Sequence, residues 1–154
     1  MNAITPIGAA SPTEARCVKT EAHLFRSRVI DKFATFERWA AERIRAADAN
    51  TKMPHLLGLK LEEVRRVAKQ HPKLFKNVSV VENLLDRVQS HLKVRSAVAH
   101  STLRLSGNMI MFEHAEAKGP PGLEGRLALQ ISELDELHAD LSRIVNELNQ
   151  QTQT

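Results

Sequence analysis

Leu84 to Glu113 reads LLDRVQSHLKVRSAVAHSTLRLSGNMIMFE, and inside this stretch the chain changes its hydrophobic period. Val81, Leu84, Leu85, Val88 and Leu92 recur at three- and four-residue spacing, the signature of one buried helix face. From Thr102 the spacing falls to two. Thr102–Ser106 and Met109–Glu113 flank Gly107-Asn108, a two-residue turn that favours a β-hairpin. That turn pairs Leu105 with Ile110 and Leu103 with Phe112 and sets all four on one face. A helix running into a hairpin therefore defines the middle of the fold.

Working outward, Ser11-Pro12-Thr13-Glu14 is a helix start, with a capping serine, a proline in the first turn and a glutamate three residues after the cap. Val18, Ala22, Phe25, Val29, Phe33, Phe36, Ala40 and Ile44 then form one long apolar stripe. Thr51 to Gly58 reads as a connector, and Leu61 to Gln70 as a shorter helix ended by Pro72. Ser79-Val80-Val81-Glu82 reads as a capping box opening the third helix. After the hairpin comes a Gly/Pro-rich loop, Lys118 to Gly125. Arg126 to Ile131 alternates as a third strand, and a last helix opens at Ser132 with Leu134, Leu137, Leu141, Ile144, Val145 and Leu148 inward. Residues 150–154 are expected to fray. The expected fold is mainly α: a bundle of about four helices with a small antiparallel β-meander inserted before the last. Residues 1–10 are expected to be a flexible tail and 11–150 a single domain.

Composition narrows the class. Aromatics are few, with five Phe, one Trp and no Tyr, so aliphatic packing must dominate the core. Cys17 stands alone, which excludes an intramolecular disulfide and a cysteine zinc cluster. No secretory leader and no apolar run of transmembrane length appears, so a cytoplasmic protein without membrane attachment is expected. From Ser132 onward one Arg stands against five acids, leaving 21 basic and 13 acidic residues before it. A basic body with an acidic last helix suits a polyanion-binding face. The seven histidines form no metal-ligand spacing, and no glycine-rich phosphate loop occurs, so neither a metal nor a cofactor is expected.

Arg95-Ser96-Ala97-Val98-Ala99-His100 carries the chemistry. A guanidinium grips a phosphate through two hydrogen bonds, and an imidazole moves protons near neutral pH. Both residues also have plain structural uses, a cation near a helix C-terminus and a C-cap. Five helical steps leave Arg95 and His100 about 140° apart on an ideal helix. Either the helix is distorted, or the Arg95 side chain wraps round, or two copies pool their motifs across a two-fold axis. Arg87, Lys93 and Arg104 flank the motif as candidate phosphate contacts, and His91 lies one turn before Arg95. Lys69, Lys73 and Lys76 make a second basic group.

With Arg-x4-His late in a bundle helix, the ending Ala99-His100-Ser101, a long first helix and a Leu-rich last one, the chain resembles the HEPN superfamily, and the hairpin after the motif is similar to one bacterial subgroup. The resemblance covers residues 13 to 149 in layout and Leu84 to Ser101 in sequence pattern. It implies metal-independent cleavage of RNA, often by a dimer, here expected to be a homodimer, with a role in defence or as the toxin of a toxin–antitoxin pair. Arg95 would hold the scissile phosphate and His100 would serve as general acid or base for attack by the 2′-hydroxyl. An antitoxin or a nucleotidyltransferase-like protein is the partner it suggests. Position 96 is Ser where the family often carries Asn, Asp or His. That departure leaves an alternative: a non-catalytic HEPN-like module that dimerises, or binds a partner, RNA or nucleotides without cutting.

Overall fold

The computed structural model describes residues 12–107, 109–114 and 125–152. The expected tail over residues 1–10, the capping Ser11 and most of the loop over 118–125 lie outside them. Within the described residues the protein is mainly helical. Helix α1 spans Pro12–Ala47, α2 Leu57–Gln70, α3 Val78–Ser90, α4 Leu92–His100 and α5 Ile131–Gln151. A 3-10 turn, Pro72–Leu74, follows α2. Strands β1 (Thr102–Ser106), β2 (Met109–His114) and β3 (Gly125–Gln130) form an antiparallel meander in the order β1-β2-β3 before the last helix. The helical bundle with its inserted sheet is thus the observed fold, with the third helix of the bundle broken at His91 into α3 and α4.

At 36 residues, α1 is about 54 Å long. It packs against α2, α4 and α5 and forms the spine of the bundle. Its apolar stripe is the expected one: Ala22, Val29, Phe33, Phe36, Ala40 and Ile44 are all buried. The core is mostly aliphatic, yet all five Phe and Trp39 are inside it. The hairpin register is also as read, with Leu105 opposite Ile110 and Leu103 opposite Phe112. Gly107 takes a left-handed φ of 58° in the turn, a conformation that a side chain would resist. Ile110 and Phe112 are fully buried, and β2, the strand carrying both, lies against α4.

Four local expectations are corrected. The third helix is capped by Asn77, whose side chain accepts from the Val80 amide at 3.2 Å, and not by Ser79. Asn and Ser cap equally well, and the one two residues earlier adds a half turn of helix. Helix α2 starts at Leu57, four residues before Leu61, because burying Leu57 beside Leu61 outweighs the penalty of Gly58 inside the helix. Helix α5 starts at Ile131, where the Glu133 carboxylate accepts from the Gln130 amide at 2.6 Å, so Ser132 is not its cap. The C-terminus does not fray at residue 150. Helix α5 runs to Gln151, whose carbonyl accepts from the Lys76 amide at 2.8 Å, and Thr152 Oγ1 accepts from the Trp39 indole at 3.2 Å.

Candidate functional site

Helix α4 holds the whole motif in nine residues and ends at His100. It is not distorted between Arg95 and His100; the break in the helix lies upstream, at His91. Ala97 and Val98 are buried and anchor the helix to the core. Lys93, Ser96 and His100 lie on its exposed side, within about 60° of one another around the axis. Arg95 and Ala99 lie on the flank facing α1. The Arg95 guanidinium pairs with Glu37 of α1 at 3.2 Å, with both side chains about one-third exposed. A small cavity of about 90 Å³ opens beside this pair, lined by Ile30, Phe33, Ala34, Glu37, Arg95 and Ala99. Ser101, directly after the motif, is buried, and its hydroxyl has no hydrogen-bond partner among the described residues.

Arg95 and His100 therefore diverge within one chain. Arg95 is aimed along the α1–α4 seam, and His100 stands in the open last turn. The spacing makes this legible; the partner of Arg95 is not, since Glu37 is 58 positions away.

The flanking candidates separate. His91 turns to α5, where its Nε2 lies 2.9 Å from Asp140 Oδ2. Arg87 also pairs with Asp140, and Glu147 is 4.0 Å away from it. Both residues are thus tied to the last helix and away from Arg95. Arg104 pairs with Glu113 across the hairpin at 3.4 Å. Lys93 is exposed beside Ser96 and His100. Lys69, Lys73 and Lys76 are exposed around the α2 end and the 3-10 turn. Between α4, β3 and α5 lies an open groove of about 500 Å³ whose lining includes His91, Val94, Leu129, Leu137 and Asp140.

Asp140 is the electrostatic hub of this side. Partial burial works to raise its pKa, but hydrogen bonds from His91 and Arg87, with their charges, outweigh it and hold the carboxyl below its ordinary 3.8. A carboxylate with a depressed folded pKa adds stability above the unfolded value, and that stability is lost as pH falls through the folded one. Asp140→Asn is expected to melt below wild type at neutral pH, with the gap closing as pH drops below 3.8; thermal melts across pH measure it. His138, on the other flank of α5, is pushed down by partial burial and by Lys32 and Arg28, against a weaker pull from Asp135.

The Arg95–Glu37 pair makes a second prediction. An anionic ligand at Arg95 must compete with Glu37. Partly exposed pairs contribute up to about 1 kcal/mol, so Glu37→Gln is expected to tighten the hold of Arg95 on a polyanion by up to about fivefold, read by fluorescence anisotropy at low salt with a labelled RNA as the probe. Arg95→Ala in the same background abolishes the gain.

Among the described residues no group of three His, Cys, Asp or Glu side chains is placed to hold a metal ion. Among them, too, no helix is long and apolar enough to cross a membrane. Comparison with protein-family models, with curated proteins and with solved structures finds no match.

Proposed function

We propose that this chain is a metal-independent endoribonuclease of the HEPN type, working as a homodimer and serving as a toxin or defence component. The observation that carries the reading is the exposure pattern of α4. A helix anchored by buried Ala97 and Val98 presents His100, Ser96 and Lys93 to solvent and keeps Arg95 at the mouth of a cavity. Arg95 binds the phosphate and offsets the charge growing on its oxygens. The 2′-oxygen attacks phosphorus and the bond to the 5′-oxygen breaks; imidazole serves one of the two proton transfers, taking the 2′-hydroxyl proton or supplying one to the leaving oxygen, and water or the second copy's imidazole serves the other. The products are a 2′,3′-cyclic phosphate and a 5′-hydroxyl. Because Arg95 and His100 diverge on one helix, the second copy brings the complementary groups.

The experiment is to incubate wild type and His100→Ala with total RNA, with and without EDTA, and to map the ends. EDTA-resistant cleavage with cyclic phosphate ends, absent from the variant, is expected. Absence of wild-type cleavage under all conditions overturns the reading. A strict monomer at micromolar concentration by light scattering overturns the dimer.

Two observations favour a second reading, a non-catalytic module that dimerises or binds a partner or RNA. Glu37 already occupies Arg95, and Ser96 is too short to reach as far as Asn, Asp or His. In that case both alanine variants, Arg95→Ala and His100→Ala, keep partner binding and the wild type never cuts.

A further inference from the structure

The cations that the sequence offers as phosphate contacts are mostly engaged: Arg87 with Asp140, Arg104 with Glu113. The flank of α1 beside the motif holds others. Arg26 precedes Glu37 by eleven residues, three turns that return it to within about 20° of the same azimuth. It thus lies on the stripe that meets α4, about 16 Å along the axis from the Arg95 pair. Direction matters as well. Arg95 touches Glu37, while Ala99 shares the cavity with Ile30, Phe33 and Ala34, so α4 runs toward the N-terminal part of α1. By helical rise alone, His100, five residues past Arg95, comes level with the stretch around Lys32, and Arg26 follows about two turns beyond. Lys19 and His23 continue the stripe, both exposed. Arg26 is half-buried, and among the described residues no carboxylate pairs with Arg26 or Lys19.

We propose that this stripe of α1 is the track for the RNA strand, with Arg26 and Lys19 holding phosphates on the His100 side of the scissile one. The proposal rests on the ribonuclease reading for its orientation, but the RNA contact is separable from cleavage. The seam between Arg95 and Arg26 is shallow and floored by Ile30, Ala34 and Ala99, without a carboxylate between Ile30 and Arg26 on that face. All aromatic rings are buried in the core, so bases find no stacking platform. The track is therefore a binder of phosphate and sugar, indifferent to sequence. Arg26 and Lys19 act as positioning residues.

The test is a salt series of fluorescence anisotropy titrations with a single-stranded RNA, using full-length wild type, Arg26→Ala, Arg26→Gln, Arg26→Lys and Lys19→Ala. Arg45→Ala, an exposed cation in the last turn of the same helix, controls for loss of charge alone. Arg26→Ala and Arg26→Gln are each expected to raise Kd about tenfold and to lower the slope of log K against log salt by about 0.7. Arg26→Lys restores most of both, and Lys19→Ala lowers the slope alike. In cleavage assays the loss falls on KM and leaves kcat unchanged. Arg26→Ala behaving like Arg45→Ala, or a wild type that binds no RNA, overturns the track. Binding that depends on Arg26 without any cleavage upholds the track and sinks the ribonuclease reading; cleavage indifferent to Arg26 does the reverse.

Discussion

His100→Ala is expected to lower RNA cleavage by about 10² to 10⁴-fold while leaving the fold unchanged. The size follows from the proton transfer proposed for the imidazole and from the place of the residue in the fold. His100 is exposed in the last turn of α4, and the next residue, Ser101, is the one that is buried. Exposed substitutions away from caps and cores shift stability by no more than about 0.5 kcal/mol, so a collapse of activity is not a collapse of structure. Arg95→Ala is expected to lose a comparable factor, about 10² to 10³, but with an added loss in RNA affinity, because in the proposed mechanism the guanidinium meets the phosphate in the ground state as well. Initial rates on a defined oligonucleotide, with circular dichroism on the same samples, separate the two. A His100→Ala protein within twofold of wild type would remove His100 from the mechanism.

The largest expected effect on stability belongs to Phe112. Its ring is fully buried on β2, the central strand of the meander, in the same core as the bundle helices. Phe112→Ala leaves a cavity and is expected to cost about 3–5 kcal/mol. Against a typical total of about 5–15 kcal/mol, that is a large fraction, visible as a lower urea midpoint with an unchanged slope. Arg104→Ala, on the exposed side of the neighbouring strand, is expected to cost less than about 0.5 kcal/mol. Because β2 packs on α4, the Phe112 variant is also expected to lose activity as α4 loses its support.

What the residues disclosed in advance was whatever local rules govern. The alternation of Leu103, Leu105, Ile110 and Phe112 about Gly107 set the hairpin register residue for residue. The long stripe on α1 did the same for the spine. The misplacements arose where two adequate residues compete, as Asn77 does with Ser79, or where distant packing decides. Thr152 is held by Trp39, 113 positions away, and no local pattern reveals such a pin. The site divides along the same line. The divergence of Arg95 and His100 follows from helical geometry alone. Its electrostatics do not: Glu37 reaches Arg95 from another helix, and Asp140 draws His91 and Arg87 toward α5. Spacing along the chain groups His91 with Arg95, whereas tertiary ion pairs separate them.

The brevity of α4 has a consequence for timing. Helices shorter than about 12–15 residues barely persist alone in water, and α4 has nine. It is held by neighbours on both sides of it in the chain, α1 before it and the sheet after it. A nascent chain that has just released His100 from the ribosome owns every motif residue and still lacks the helix that arranges them. The segment that reaches back to the joint at His91, with Asp140, is made after the sheet. Any chemistry at Arg95 and His100 therefore waits until the sheet and α5 have followed the motif out of the ribosome.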